Sequence, residues 1–158
     1  MYTLKQFFDK FGTDTTNNIE LMNYAKMLGI KNFYYVMRDE MKLLPLNTKF
    51  PLNVMTNIHT SDQPGIHHNC FYINNDNRSA KQRQGRYFFD SYGLSPTKEV
   101  EKYMRHGEHS TFRLQEDNTT YCGQLSLYFL YLMNHTDKSY HDVILSISAA
   151  LENFSIKK

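Results

Sequence analysis

The sequence predicts a single α+β domain with a central mixed or antiparallel sheet of about five strands flanked by helices. Its 158 residues, 41% of them hydrophobic and 15% aromatic, are enough for one hydrophobic core and too few for two ordinary domains. Segments with helical periodicity occur toward both ends of the chain, and short segments that favour strands, several of them aromatic, lie between them. We therefore expect residues 1–158 to form one domain.

Five segments carry helix signals. They cover residues 3–11, 17–28, 96–105, 124–133 and 140–154. Asn17 or Asn18 is the expected N-cap of the second helix, and Ser95 is that of the third. The expected buried face of the second helix holds Leu21, Met22, Ala25 and Leu28. The expected buried face of the last helix holds Val143, Ile147, Leu151 and Phe154.

Five segments carry strand signals. They cover residues 33–37, 52–58, 65–73, 86–90 and 110–114, and the second alternates like a strand buried on one face. A polar hairpin at 74–84 is expected to join the third and fourth strands as an antiparallel pair. Such a pair sets the start of one strand near the end of the other, which predicts that His67 lies close to Asp90.

Composition also indicates the kind of compartment in which the protein acts. Two cysteines, Cys70 and Cys122, do not make a disulfide framework, which favours a reducing intracellular compartment. We expect no membrane association and no secretory leader, because no apolar stretch is long enough to span a bilayer and charged residues interrupt the N-terminus. A monomer is expected, with Cys70 a core residue in mid-strand.

Cys122 is the first candidate for chemistry. It stands with Gly123 directly before an apolar run, and the polar stretch 115–120 precedes it like a loop. At a helix start, unpaired backbone N–H groups and the helix dipole stabilise an anion and lower the pKa of a thiol. The alternative is that Cys122 is a small buried core residue, as most free cysteines are.

A thiol nucleophile needs a base, a group that orients the base, and donors for the oxyanion. His67 is the candidate base, Asp90 its orienting carboxylate, and Gln115 a side-chain donor beside the Cys122 backbone N–H. Each has a plainer interpretation when taken alone. A strand histidine is more often a hydrogen-bonded core residue, and an aspartate before Ser-Tyr-Gly is more often a turn former.

Four sequence motifs, in order, resemble the adenain family. They are Gly65-Ile66-His67, the segment 88–93 (Phe-Phe-Asp-Ser-Tyr-Gly), Gln115 and Cys122-Gly123. The family comprises the adenovirus maturation proteases and their relatives in Polinton-type elements and virophages. Its members carry Gly-Val-His-Trp, then Phe-Glu/Asp-Pro-Phe-Gly, then a Gln a few residues before Cys-Gly. The resemblance implies a papain-like α+β fold of the adenain type, shared with the ubiquitin-like-protein proteases.

The resemblance also implies a function. The expected activity is that of a cysteine endopeptidase which cleaves precursor capsid and core proteins during virion maturation, at Gly-Gly or Gly-X sites. His67, Asp90, Gln115 and Cys122 correspond to the family's functional positions. The implied locations are the virion and the infected host cell, in its nucleus or viral factory. No metal is expected, whereas viral DNA and a non-covalent peptide activator are candidate cofactors. A disulfide-linked activator is not expected, because residues 104–110 contain no cysteine.

One departure from the family concerns the base. His68 stands where the family usually has Trp, so the chain offers two adjacent histidines. Strand alternation predicts that their rings point to opposite faces, with only one in the cleft. We assign His67 as the base because Gly65-Ile66 precedes it, as in the family.

Two other functions fit the same sequence. One is an isopeptidase that removes ubiquitin or SUMO-like modifiers, because those enzymes share the fold and motifs of the family. The other is a non-enzymatic α+β module that binds a partner or nucleic acid. Its surface would be the basic cluster in the hairpin, formed by Arg78, Lys81, Arg83 and Arg86. The net charge of +2 is too small to indicate nucleic-acid binding, and a solvated loop is the simpler interpretation of the cluster.

Overall fold

The computed structural model describes residues 1–45, 49–75 and 84–156, which form an α+β fold around one mixed sheet. The strands are β1 (Phe33–Met37), β2 (Leu52–Asn57), β3 (His68–Asn74), β4 (Gly85–Phe89) and β5 (Glu108–His109). The helices are α1 (Leu4–Phe11), α2 (Asn18–Met27), α3 (Lys98–Met104), α4 (Cys122–His135) and α5 (Tyr140–Ile156), with a 3₁₀ turn at Met41–Leu43. The predicted α+β class and the five-stranded sheet are confirmed.

The strands lie in the sheet in the order in which they occur in the chain. Strands β2, β3 and β4 are antiparallel neighbours, whereas β1 pairs with β2, and β5 with β4, in parallel. Cys70 of β3 pairs with Phe89 of β4. The residues just before Cys70 therefore lie beside Asp90, which directly follows β4.

The central strands are covered on both faces. Every residue of β2 and of β3 is buried. On one face, Met55, Cys70 and Phe89 pack with α1, α2, α4 and α5. On the other face, Val54 and Phe71 pack in a second cluster that includes residues of α3. The expectation that 52–58 is buried on one side only was wrong, because helices cover both sides of this sheet.

Local sequence accounts for the first two helices. Thr3 with Gln6, and Asn17 with Glu20, form reciprocal hydrogen bonds that cap α1 and α2. The α2 face toward the core holds Leu21, Ala25 and Leu28. Met22 was expected on that face but is 48% exposed, because it lies one position round the helix from Leu21.

Two expected elements differ in the structure. Helix α3 begins at Lys98 with Thr97 as its N-cap, two residues later than predicted from Ser95. Strand β5 is only Glu108–His109, and the predicted strand at 110–114 does not form. The N–H groups of Leu114 and Gln115 instead both donate to the Ser91 carbonyl oxygen, so this segment crosses the loop after β4.

Over the described ranges, no helix is both long and apolar enough to cross a membrane. The predicted hairpin at 74–84 has its residues 76–83 outside the described part of the chain.

Candidate active site

Cys122 is the first residue of α4, the helix packed most closely against β3. Tyr121 is the N-cap and makes no side-chain hydrogen bond to the first turn, which leaves backbone N–H groups available near the sulfur. Residues 123–133 are all buried. The prediction of a cysteine at the start of a buried helix is confirmed.

Gly123 allows the helix start to approach the N-terminal part of the chain. A Cβ atom at this position would lie 2.4 Å from Thr16 Oγ1 and 3.3 Å from His68 Nδ1. Real Cβ contacts are not that short, so a side chain at 123 would displace either Thr16 or α4. Glycine beside the cysteine is therefore a packing requirement of this site.

The Gly123→Ala variant is expected to be less stable by about 1–3 kcal/mol, because the added methyl group overpacks the contact with Thr16. Thr16→Ala should restore most of that loss in the double variant, whereas Thr16→Val, which keeps the side-chain size, should not. Urea unfolding of the single and double variants measures this coupling. Equal stability of Gly123→Ala and the parent chain would contradict the packing argument.

Two further hydrogen bonds tie the start of α4 to residues 13–16. The Thr120 hydroxyl donates to the Thr13 carbonyl oxygen at 2.6 Å. The Gln124 side chain donates from Nε2 to the Asp14 carbonyl oxygen at 2.7 Å. Because these bonds flank Cys122, they hold the nucleophile candidate in position from both sides.

His67 and Asp90 form a buried pair. His67 Nε2 lies 2.8 Å from Asp90 Oδ2, and the two residues are 6% and 4% exposed. The carboxylate also accepts hydrogen bonds from the Tyr92 N–H at 2.8 Å and from Asn69 Nδ2 at 3.3 Å. The predicted proximity of His67 and Asp90 is confirmed. With Nε2 held by the carboxylate, Nδ1 is the His67 nitrogen left for the thiol.

The environment separates the pKa values of His67 and Cys122. Burial alone would lower the pKa of His67, but the hydrogen bonds to Asp90 and Cys122 and their charges raise it to about 9. Burial alone would raise the pKa of the Cys122 thiol, but hydrogen bonds from the rings of His67 and His68 lower it to about 6. Between these two pH values the favoured state is a thiolate beside an imidazolium ion.

His68 also contacts the sulfur. Its backbone N–H donates to Cys122 Sγ at 3.4 Å, and its Nδ1 lies 3.9 Å from the same atom. The expectation that only one histidine faces the cleft was therefore wrong. Strand β3 begins at His68, so His67 precedes the strand and strand alternation does not govern the relative directions of the two rings.

An open cleft of about 1000 Å³ lies in front of these groups. Its walls include Asn17, Tyr35, Ile66, His67, His68 and Cys122. Leu43, Ile66 and Leu94 line it as exposed large apolar side chains. The lining as a whole is mixed, because polar side chains such as Glu20 and Thr119 lie beside these apolar ones.

Gln115 lies behind the loop that leads into α4. It is 1% exposed, its Oε1 accepts a hydrogen bond from the Ser91 hydroxyl at 2.6 Å, and its Nε2 donates to the Thr119 carbonyl oxygen at 3.2 Å. It is not among the residues that line the cleft. In this state Gln115 joins the loop after β4 to the loop before Cys122, and its role as an oxyanion donor stays a prediction.

The Gln115→Ala variant separates these two roles. If Gln115 donates to the oxyanion, we expect the cleavage rate to fall by roughly 10²-fold or more, because one donor is lost in the transition state. Alkylation of Cys122 by iodoacetamide should continue at the parent rate, because no oxyanion forms in that reaction. Parallel loss of alkylation and cleavage would instead assign Gln115 to positioning of the loop alone.

Of the basic cluster, the described part of the chain includes Arg86 alone. Arg78, Lys81 and Arg83 lie outside the described residues. Arg86 is on β4, where its guanidinium donates to the Arg105 carbonyl oxygen at 2.9 Å, and it does not line the cleft. Within the described ranges, no group of three His, Cys, Asp or Glu side chains is arranged to hold a metal ion.

Three polar residues at the site escaped the reasoning from sequence. Asn69 supports Asp90, Asn57 holds the loop before His67, and the Tyr35 hydroxyl lies 2.8 Å from His68 Nε2. Asn57 and Asn69 interrupt otherwise apolar strands, which is a usable signal, since buried polar groups in strands need partners. Tyr35 sits among other aromatic residues and carries no such signal.

No known protein-family model matches the chain, and no curated protein sequence shows a significant match to it. Conclusions about function therefore rest on the geometry of the site and on the motifs.

Proposed function

We propose that this protein is a cysteine endopeptidase of the adenain type. The observation that carries the proposal is that His67 and Cys122 line one cleft while buried Asp90 holds the His67 ring from behind. The carboxylate holds Nε2 of the ring, and the ring in turn lowers the pKa of a thiol at a helix start. A buried core cysteine would have no need of such partners, as Cys70 illustrates: burial raises the pKa of its thiol.

In the proposed reaction, the Cys122 thiolate attacks the carbonyl carbon of a peptide bond and forms a tetrahedral oxyanion. The Cys122 backbone N–H, with Gln115 as a second candidate donor, stabilises that oxyanion. The His67 imidazolium gives its proton to the leaving amine, and the carbon–nitrogen bond breaks to leave a thioester. His67 then takes a proton from water, which attacks the thioester carbon. The carbon–sulfur bond breaks, which releases the acid product and restores the Cys122 thiolate beside the His67 imidazolium ion.

The proposed substrates are precursor capsid and core proteins of a virus or virus-like element, cleaved at Gly-Gly or Gly-X sites in the virion or the infected cell. This part of the proposal comes from the resemblance to the adenain family. The apolar residues Leu43, Ile66 and Leu94 along the cleft support a peptide substrate. Viral DNA and a non-covalent peptide remain the proposed activators, and no metal is required in the reaction.

A substrate panel tests the proposal. The full chain would be incubated with peptides that contain Gly-Gly and Gly-X sites from capsid precursors, and with ubiquitin and SUMO fluorophore conjugates, with and without DNA. Mass spectrometry should find internal cleavage of the capsid peptides after a small residue, absent with Cys122→Ala. Cleavage of the modifier conjugates alone would favour the isopeptidase. No cleavage of either class, together with an unreactive Cys122, would favour the non-enzymatic module.

A further inference from the structure

The ring of His68 contacts a series of polar groups that begins at the buried residue Asn57. Asn57 is 2% exposed, and its Oδ1 accepts hydrogen bonds from the His59 N–H at 2.9 Å and the Ile66 N–H at 3.4 Å. Both of those partners are backbone donors, so this side of the amide must be the oxygen. The Nδ2 side of Asn57 is therefore the donor available to its other neighbours.

Tyr35 is the next group in the series. Burial raises the pKa of its phenol, while the hydrogen bond with Asn57 acts in the opposite direction. The Tyr35 hydroxyl oxygen lies 2.8 Å from His68 Nε2, so Tyr35 is the hydrogen-bond partner of that ring nitrogen.

The other ring nitrogen of His68, Nδ1, faces the Cys122 sulfur. Nδ1 lies 3.9 Å from Cys122 Sγ, and the His68 backbone N–H lies 3.4 Å from the same sulfur. A thiolate can only accept hydrogen bonds, so a ring nitrogen that pairs with it must carry a proton. One residue therefore directs two N–H donors to the sulfur.

We propose that His68 and Tyr35 form a second arm that stabilises the Cys122 thiolate, while His67 alone transfers protons. The inference rests on the proposed function in that it takes the Cys122 thiolate to be the nucleophile. The inference gives a role to His68. The adenain family usually has tryptophan at this position, and a tryptophan cannot present a ring nitrogen to the sulfur in the same way. His67 differs because its Nε2 is held by a carboxylate rather than by a phenol.

Several other titratable groups face this part of the cleft, and the design of the test accounts for them. His67 approaches the sulfur from the segment before β3, with Asp90 behind it. Glu40, which follows β1, acts on Tyr35, and Glu20 of α2 and Tyr92 line the cleft. All of these remain in place in the variants below.

The test measures the pH dependence of iodoacetamide alkylation of Cys122 in the full chain and in its His68→Phe and Tyr35→Phe variants. At pH 6 we expect alkylation to slow about tenfold in His68→Phe and about threefold in Tyr35→Phe, because fewer donors reach the thiolate. The double variant should be no slower than His68→Phe, since Tyr35 acts through His68. Tyr34→Phe, on the neighbouring position of β1, and the exposed His141→Gln are matched controls that should behave like the parent.

A second readout separates this role from that of His67. In the variants that cleave peptide, the alkaline limb of the rate profile should stay in place, because the His67–Asp90 pair is unchanged. An unchanged alkylation profile in both variants, or a shifted alkaline limb, would overturn the inference. If circular dichroism shows that His68→Phe is unfolded, Tyr35→Phe decides alone. A chain that cleaves no peptide but shows the expected alkylation shifts would refute the proposed function and support the thiolate arm.

Discussion

Replacing Cys122 with alanine is expected to lower peptide cleavage by about 10⁴-fold or more and to remove the rapid labelling by iodoacetamide. In the proposed reaction the sulfur forms the covalent intermediate, and no other described side chain in the cleft is a thiol. The fold should remain, because Cys122 is only half-buried and its Cβ stays in place. Rates with a Gly-Gly peptide, thiol labelling and thermal unfolding measure the three effects.

Cys70 provides the matched control for that experiment. It is fully buried on β3, and its thiol donates to the Ser126 carbonyl oxygen at 3.4 Å. Burial raises the pKa of this thiol, so it should not react under native conditions. Cys70→Ala is expected to lose stability but to keep both cleavage and labelling. Labelling that follows Cys70 rather than Cys122 would contradict the assignment of the nucleophile.

The Asp90→Asn variant is expected to lower kcat/KM by about 10²–10⁴-fold. An amide at this position has one oxygen, whereas Asp90 uses both carboxylate oxygens to accept from Tyr92, His67 and Asn69. The NH₂ group of the new asparagine would face at least one of those donors and could not accept its hydrogen bond. His67 would then lose its orientation, and it would also lose the negative charge that favours the imidazolium form.

The same variant should change the pH profile in a defined direction. In the parent chain, activity should fall below about pH 6 as Cys122 gains a proton, and above about pH 9 as His67 loses one. Without Asp90, the raised pKa of His67 should move back toward its ordinary value of 6.5, so the alkaline limb shifts to lower pH. Stopped-flow or fluorogenic assays from pH 5 to about pH 10 cover both limbs.

Asp137→Asn, an exposed change remote from the cleft, serves as the control for the loss of one negative charge. It should leave both limbs where they are in the parent chain. If Asp90→Asn cleaved at the parent rate with the same alkaline limb, the carboxylate would have no part in orienting or charging His67. That result would overturn the proposed catalytic triad of Cys122, His67 and Asp90.

The class of fold was accessible from sequence because its signals are local. Capping residues such as Thr3 and Asn17, the continuous apolar run of α4 and the apolar stripe of α5 are visible within a few turns of helix. The burial of β2 on both faces could not be predicted from sequence, because no local pattern shows how many layers of helices cover a strand. Residues 110–114 were mistaken for a strand, since their β-prone side chains gave no sign of the hydrogen bonds to Ser91.

The candidate site, too, was predictable from sequence only in part. Antiparallel pairing of two consecutive strands predicted that His67 meets Asp90, and a helix start predicted the place of Cys122. Tyr35 reaches His68 only because β1 joins the sheet in parallel beside β2, and that neighbour relation has no short-range signal in the sequence. Both histidines lie near the sulfur because β3 begins at His68 and not before His67. Sequence signals locate the start of a strand only to within a few residues, so this could not be predicted.

The contacts between residues 13–16 and the start of α4 bear on when the protein becomes reactive during its synthesis. Thr13 and Asp14 are made early, and their partners Thr120 and Gln124 follow more than a hundred residues later. Neither half can hold Cys122 in place alone, so the assembled thiolate exists only after α4 has left the ribosome and docked on the N-terminal segment. In the proposed protease, the reactive site is therefore completed only after most of the domain has been synthesised.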